Sequence, residues 1–462
     1  MECFITYLKD IEGRIDPNPY HPLRINTILK LKSSPYDLVP LSQVAIFKRQ
    51  LTESSTQHER YIGLENIESD TGILVQSSEE KESFGAAFRF TYGDVLFPKL
   101  RPYLNKVYLA EFNGVCSTEF HILQAIKCKA EYLFAYLNSK LVVNQTSCLM
   151  TGNTLPRLQT GDIEKILVPI PPPEIQNQIS SIMQSAYQLK RQKEAEAQKL
   201  LNSIDEYVLG ELGLELSDIF DNKTCVIDSS SIYHNRHDPY YFNPKFDRLL
   251  CDIEKGKFDL RPLRDVSLTI FNGHTPAREE YSEKGDTILK VGSLGNNRIE
   301  WSKLSYVSDE IELNKTVKDN DILILSSAHQ ADYVGKNPCI VSIPENLRDR
   351  NIYFVGELIC IRTNNEIVNP YFLLAVLKLN AYYLLINREK RGQTSHLYPK
   401  DLGNILVPVP PLENQDNIAT ESKHRMDKAD ELMREAEIDV KKVKAEVERL
   451  ILGNQRNPSS DS

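Results

Sequence analysis

Several things are scarce in this chain of 462 residues, and each scarcity closes off a class of function. Basic charge is not in excess: Lys and Arg number 55 against 64 Asp and Glu, a net charge of −9. A protein that coats nucleic acid non-specifically is therefore excluded, although local basic patches remain open. No uninterrupted apolar run is long enough to span a bilayer. The longest candidate, Tyr371 to Ile386, is broken by Lys378 and Asn380. The first residues, MECFITYLKDIEGR, have no basic region followed by an apolar core, so no secretory signal is expected. The eight cysteines form no Cys-x-x-Cys pair and lie scattered through apolar segments. That pattern predicts reduced, buried thiols in a cytoplasmic protein and no zinc site.

Catalytic signatures are scarce too. There is no Gly-rich cofactor loop, and Val334-Gly-Lys336 lacks the earlier glycine of a phosphate-binding loop. Asp238-Pro-Tyr-Tyr241 is only loosely like an adenine-methyltransferase motif. Asp16-Pro-Asn-Pro-Tyr20 occupies the corresponding place earlier in the chain, so both read as a shared structural turn. His234 and His237 fall in a loop-like stretch and read as a chance pair. No nucleophile elbow and no convincing carboxylate pair occurs.

What the chain does have is an internal duplication. Ile166-Leu-Val-Pro-Ile-Pro-Pro-Pro-Glu-Ile-Gln recurs as Ile405-Leu-Val-Pro-Val-Pro-Pro-Leu-Glu-Asn-Gln. Gly152-Asn-Thr154 recurs as Gly392-Gln-Thr394, Asp37-Leu-Val-Pro-Leu as Asp259-Leu-Arg-Pro-Leu, and Gly93-Asp-Val-Leu96 as Asn320-Asp-Ile-Leu323. The order is kept while the spacing widens, which is a tandem duplication with insertions in the second copy. Two repeats of this size mean two homologous domains.

Each repeat leads into a long amphipathic helix. The prolines end a strand and Glu174 opens the first helix. Its apolar positions are Ile175, Ile179, Ile182, Ala186 and Leu189, then Leu200, Ile204 and Val208, with polar breaks at Lys193 and Glu196. Gly210 and Gly213 supply its stop. In the second helix Ala429, Met433, Ala436, Val440, Val443, Val447 and Leu450 alternate at four and three, the spacing of a coiled-coil seam, up to Gly453. One seam alone is an unburied stripe, so the two helices are expected to pair antiparallel. Short apolar runs beginning at Asp94, Phe120, Asp321 and Leu358 read as strands. Tyr132 to Val143 and Pro370 to Ile386 read as helices, Leu216 to Ser231 as a linker, and Asn454 to Ser462 as a disordered tail.

Recognition residues are sought in loops. Lys99-Leu-Arg-Pro-Tyr-Leu-Asn-Lys106 places Lys99, Arg101 and Lys106 beside a turn proline, where cations can neutralise phosphates or fork onto a guanine edge. The equivalent stretch in the second copy, Ser326 to Lys336, keeps only Lys336 near its end, which suits two modules with different targets. Phe271-Asn-Gly-His-Thr-Pro276 offers His274 and Thr275 with Arg278 nearby. The two Gly-x-Thr turns bring Asn153, Thr154 and Arg157 in one copy and Arg391, Gln393 and Thr394 in the other. A plain structural role for each of these turns stays open.

Taken together the chain resembles the specificity (S) subunit of type I restriction-modification systems. The resemblance rests on the duplicated Pro-Pro-x-Glu-x-Gln segments, the Gly-x-Thr turns before them, the long helices after them, and Gly273-His-Thr-Pro276, similar to that family's Gly-Gly-Thr-Pro loop. The first repeat has no such loop near Lys48 to Ser55. The resemblance implies an α+β fold of two homologous mixed α/β target recognition domains separated by two long antiparallel coiled-coil helices, a pseudo-twofold tandem repeat. Recognition domain 1 would span 1–173, its spacer helix 174–212, a linker 213–232, recognition domain 2 233–411, its spacer helix 412–453, and the tail 454–462. Each domain would read half of a bipartite site in double-stranded DNA, with the helices setting the gap and docking two methylation (M) subunits. Restriction (R) subunits would complete a phage-defence complex. S-adenosylmethionine, ATP and Mg would act in those partners, with no cofactor and no catalysis in this chain. Three other readings remain: a similar subunit of a related defence system, a coiled-coil scaffold that binds no DNA, and a stand-alone enzyme, which the missing cofactor motifs disfavour.

Overall fold

The computed structural model describes residues 17–52, 60–75, 85–152, 155–218, 224, 226, 238–308, 315–392 and 395–454. They fall into two compact units. One is Met1–Glu194 together with Met433–Ser462, and the other is Ala195–Leu432. Each unit therefore holds one mixed α/β domain and half of each long helix.

In the first unit a four-stranded antiparallel sheet runs in the order Ala45–Lys48, Phe120–Ala125, Val95–Pro98, Tyr108–Leu109. Phe120, Leu96 and Ile122 face a second sheet, whereas Leu123, Val95 and Phe97 face helices. A sheet covered on both faces needs strands that are apolar throughout, which is why Val-Leu-Phe shows no alternation. The second unit repeats the sheet as Ser267–Asn272, Leu358–Thr363, Ile322–Leu325, Cys339–Ile340. Ile322 and Ile324 face its helices, and Leu323 and Leu325 face its second sheet.

The second sheets differ in wiring. The first unit has the order Leu51–Thr52, Ala87–Phe90, Gly114–Ser117, Tyr61–Ile62, and the second has Tyr281–Ser282, Ser305–Val307, Asp286–Leu289, Ile352–Phe354. The strand that leads into the 3₁₀ turn Leu64–Asn66 lies at an edge. Its counterpart before the turn Val291–Ser293 lies inside. Both share one parallel pairing, Tyr61–Ile62 with Gly114–Ser117 and Asp286–Leu289 with Ile352–Phe354.

The single helices expected at Tyr132–Val143 and Pro370–Ile386 are each two helices. They are Ala130–Leu137 with Lys140–Thr146, and Pro370–Lys378 with Asn380–Arg388. The breaks come where Ser139 and Leu379 take extended backbone, ψ 159° and 136°. The expectation of buried thiols holds for Cys116, Cys339 and Cys360, whereas Cys251 is exposed and Cys128 and Cys148 are half-buried. Burial pushes the Cys116 and Cys339 thiols up to about 12. Among the described residues no helix is long and apolar enough to cross a membrane.

The long helices are Pro173–Leu212 and Leu412–Ile451, each of 40 residues, or about 60 Å at 1.5 Å per residue. Gly213 and Gly453 end them at φ 63° and 76°. The following amides reach back to Leu209 O and Arg449 O at 2.9 Å, the left-handed cap that glycine permits. Within the first unit Ile179 and Met183 share a core with Val447 and Ile451. Within the second, Ile204 and Val208 share one with Ile418 and Met426, and Ala197 meets Ala429 and Leu432. As numbers rise along one helix they fall along the other, so the pairing is antiparallel, as expected.

Most expected seam positions are buried, among them Ile179, Ala186, Ile204, Val440 and Val447, and the half-buried Ile182 packs on the shared core, but a few positions are shifted. Met183 and Lys190 are buried where Ile182 and Leu189 were expected, and Leu432 replaces Met433, which is 39% exposed. Lys193, expected as a break, reaches both Glu435 and Asp439 at 2.8 Å. A lysine stem covers apolar surface while its ammonium finds carboxylates, so a polar residue can occupy a seam position.

The repeated Pro-Pro-x-Glu-x-Gln segment has a mechanical reason. The Gln176 side chain, 5% exposed, donates to Pro171 O at 2.8 Å and accepts from Lys129 N–H at 2.9 Å. Gln415, fully buried, donates to Pro410 O at 2.7 Å and Ile367 O at 3.0 Å and accepts from Asn369 N–H at 2.9 Å. Lys129 and Asn369 each cap the first helix of their pair. One glutamine thus ties the proline exit and the start of the long helix to a domain helix, and satisfies backbone groups that burial would orphan. Gln415→Ala should cost about 1–3 kcal/mol, with Gln176→Ala costing less. Urea denaturation followed at each unit measures this, and losses under about 0.5 kcal/mol would refute the pinning role.

Candidate nucleic-acid interface

The same two loops meet in both units. In the first, the third strand runs on into Lys99-Leu-Arg101, against a hairpin closed by Thr151 and Arg157. Leu158 N–H donates to Lys99 O and Arg101 N–H to Pro156 O, both at 2.9 Å. Gly152, at φ 97°, turns the hairpin. In the second unit Ser327–Ala328 pairs with Ser395–His396, Arg391 bridges His396, and Leu397 N–H donates to Ser326 O at 2.8 Å. Gly392 makes the turn at φ 85°. Asn153, Thr154, Gln393 and Thr394 lie outside the described residues.

The cations brought together here have distinct surroundings. Lys99 is half-buried. Its Nζ donates to Thr118 O at 2.6 Å and lies 5.2 Å from the Phe88 ring centre. Burial lowers its pKa, Glu119 opposes the shift, and Arg49 and Arg157 add to it. Lys99 is thus a fastener as well as a charge. Arg157 forks onto Glu119 at 2.8 and 3.2 Å and remains 47% exposed. Arg101 is exposed, and its guanidinium makes no hydrogen bond or ion pair among the described residues. Its left-handed backbone, φ 47°, is unusual for a side chain of this size. Lys106 lies beyond the 3₁₀ turn Pro102–Leu104 and donates to Leu64 O at 2.9 Å. It shares a cavity of about 150 Å³ with Arg101, Leu64 and Glu65.

Arg49 is a residue that the sequence reading missed. Ladder register places Lys48 opposite Ile122 and Phe271 opposite Cys360, so Arg49-Gln-Leu-Thr52 stands where Asn272-Gly-His-Thr275 stands in the other unit. Arg49 is exposed and adds to the field on Lys99 and His121. His121, buried beneath, is driven down to about 3 by burial, then by Lys99 and Arg49, and stays neutral. Only the duplication, followed strand by strand, could have flagged Arg49.

In the second unit the glycine loop is clamped. A side chain at Gly273 would place its Cβ 2.0 Å from Phe354 O, so only glycine fits. His274 N–H donates to Phe354 O at 2.9 Å, and its side chain is exposed. Thr275 Oγ donates to Glu357 at 2.8 Å and accepts from Gly356 N–H at 2.9 Å. Glu357 and Glu119 are counterparts, since Ser326 N–H donates to Glu357 O as Lys99 N–H does to Glu119 O. One carboxylate orients Thr275 and the other Arg157. Arg391 pairs with Asp401 at 2.7 Å and is 46% exposed. Arg278 is exposed on a neighbouring 3₁₀ turn, and exposed Lys336 lies 5.5 Å from the Tyr333 ring centre.

A buried aspartate precedes the strand Val95–Pro98 in one unit and Ile322–Leu325 in the other, at the opposite end from Lys99 and Ser326. Asp94 and Asp321 each accept from a turn amide, Thr91 N–H at 2.8 Å and Lys318 N–H at 2.7 Å. Asp94 is neutralised by Lys48 from the first strand at 2.8 Å, and Asp321 by Arg362 from the adjacent strand at 2.7 Å. Among the described residues no group of three or more His, Cys, Asp or Glu is placed to hold a metal ion.

The model of the type I restriction modification DNA specificity domain matches the chain twice, at 42–199 and 255–440. The chain is 31% identical over 116 residues to the type I restriction enzyme EcoDI specificity subunit of Escherichia coli, covering 25% of this chain and 26% of that one. It is 26% identical over 174 residues to the putative type I restriction enzyme MjaX specificity subunit of Methanocaldococcus jannaschii, covering 35% and 38%. The matched stretches thus span well under half of these relatives. A solved chain described under "structural basis underlying complex assembly and conformational transition of the type I R-M system" is similar with a TM-score of 0.46 and 20% identity, over 91% of this chain and 99% of that one.

The surroundings of Arg101 and Lys99 separate a candidate ligand contact from a fastener. Arg101→Ala should leave thermal stability unchanged and weaken binding to target duplex by ~1–3 kcal/mol, lowering the salt slope by about one. Lys99→Ala should lower the melting temperature. Titrations at several salt concentrations, beside thermal melts, check both. A stable Arg101→Ala protein with parental affinity would remove Arg101 from the interface.

Proposed function

The chain belongs to the type I restriction modification DNA specificity family, and from that premise we propose that it is the DNA-reading subunit of a type I restriction-modification complex. Each domain, 1–173 and 233–411, reads one half of a bipartite duplex site. The carrying observation is the repeated interface: one hairpin and one loop on the same sheet, holding exposed arginines in one unit and His274, Thr275 and Arg391 in the other. A shared frame with unlike exposed side chains is what two readers of different sequences require. Arg49, Arg101 and Arg157 with residues 153–154 would contact DNA in the first unit. His274, Thr275, Arg278, Lys336 and Arg391 with residues 393–394 would do so in the second.

The spacer helices, 174–212 and 412–453, set the gap and dock two methylation subunits, and restriction subunits join them. S-adenosylmethionine, ATP and Mg belong to those partners, and this chain contributes binding and register alone. The net charge of −9 fits a subunit whose partners supply much of the phosphate neutralisation.

Exchanging Tyr233–Asn404 for the equivalent part of another specificity subunit should change one half of the methylated motif and leave the other intact. Adding one matched heptad to both helices should widen the unread gap by about three base pairs, since seven residues rise ~10 Å. Methylome sequencing reads both. An exchange that altered both halves together would overturn the two-reader assignment.

A further inference from the structure

The two domains sit on the long helices through the same turn, with the charges transposed. In the first unit the turn is Glu68-Ser-Asp-Thr-Gly72, after the 3₁₀ turn Leu64–Asn66. In the second it is Gly295-Asn-Asn-Arg298, after Val291–Ser293. Bridges Ile67 to Leu74 and Leu294 to Ile299 close both. An ammonium donates to the turn carbonyl in each. In the first unit it is Lys444 of the second long helix, bonded to Asp70 O and at 2.7 Å to Asn138 Oδ1. In the second it is Lys378 of the domain, bonded to Asn296 O.

The duplication identifies the counterparts. Asn138 and Lys378 both end the first domain helix. With Gln176 matched to Gln415, Lys444 corresponds to Asp205 of the first long helix. Asp205 is half-buried against the Asn380 amide and within the field of Lys378. In one unit, then, helix carries cation and domain carries amide; in the other, domain carries cation and helix carries carboxylate. Neighbouring pairs follow the same sign. Glu68 of the first turn takes Lys190 at 3.1 Å, 5% exposed on the first long helix. Arg298 of the second turn pairs with Asp427 and lies 3.6 Å from Asp430, and Asn297 donates to Asp430 at 3.3 Å.

Both ammonium groups are costly to bury. Lys444 is lowered to about 8 by burial, opposed by Asp70 and Glu448, and Lys378 is lowered by burial as well. A site with two such groups would set like charges against each other, and one with none would leave the turn carbonyl without its donor.

We propose that the transposed ammonium is a key that seats each domain only on its own stretch of the helix pair. Domain 2 placed against Lys444 would bring Lys378 and Lys444 to one carbonyl. Domain 1 placed against Asp205, Asp427 and Asp430 would bring Glu68 and Asp70 to carboxylates and leave the carbonyl without its donor. Specificity here comes from repulsion of the wrong partner as well as attraction of the right one. The key is independent of what the domains read.

A charge-transplant cycle in the full-length chain tests it, with hydrogen exchange at residues 67–74 and 294–299 as the readout. Lys444→Asp and Asn138→Lys should each speed exchange in the first turn by about tenfold or more, and the double variant should return it to within about threefold of the parent. Lys378→Asn and Asp205→Lys should behave in the same way at the second turn, which covers the case of one set failing to fold. Doubles no slower than the faster of their singles at both turns, or singles without effect, would overturn the proposal. DNA affinity plays no part in the readout, so failure here is distinguishable from failure of the functional assignment.

Discussion

A helix of forty residues with one apolar stripe is stable in water only when something covers that stripe. The arrangement of this protein follows from that demand. The two helices cover each other in antiparallel register, and each domain closes over half of both. Ile179 and Met183 belong to the same core as Tyr132 and Leu133, and Ile204 and Val208 to the same core as Phe372 and Leu373. The compact units therefore cut across the boundaries that sequence repeats suggest. The first unit takes its last residues from the far end of the chain.

Polar groups then decide how the apolar surfaces meet. Gln176 and Gln415 satisfy carbonyls beside prolines, which have no N–H to build a ladder. Lys190 shows the balance at such positions. Burial is the largest influence and lowers its pKa, but the hydrogen bonds it donates to Glu194 and Glu68, with their charges, together outweigh it and leave the pKa raised. Buried charges of this kind add little net stability compared with apolar residues, yet they penalise any other seating. The duplicated domains have diverged in these partners: Asp94 and Asp321 keep one position but draw their cations from different strands.

The candidate interfaces stand on a rigid frame and vary in what they present. Glu119 and Glu357 occupy equivalent places, one holding Arg157 in its fork and the other Thr275. A fixed carboxylate beneath a changeable side chain lets the exposed surface differ without disturbing the sheet below. The close approach at Gly273 applies to one loop alone, because Gln50 holds that register in the first unit. The absence of a glycine loop there reflects a different backbone path through Leu51–Thr52, which joins a strand pair with Ala87–Phe90.

Read by itself, the sequence determined the duplication, the four central strands, both long helices to within three residues of each end, and their antiparallel pairing. All of these rest on local periodicity or on segments compared with each other. It also pointed to the loops that meet at the candidate interface, since the Gly-x-Thr turns repeat in order. Tertiary structure alone decided which residues of the seam are buried. Met183 and Ile182, or Leu432 and Met433, are equally apolar neighbours, and the choice depends on the angle at which the partner helix arrives. The split of the domain helices at Ser139 and Leu379, the rewired second sheets, and the sorting of Lys99 from Arg101 were likewise invisible along the chain. A lysine that fastens a loop and an arginine that faces solvent have the same local pattern. They differ only in what the fold brings up from a distant segment, here Thr118 O at 2.6 Å from Lys99 Nζ and the Phe88 ring centre at 5.2 Å.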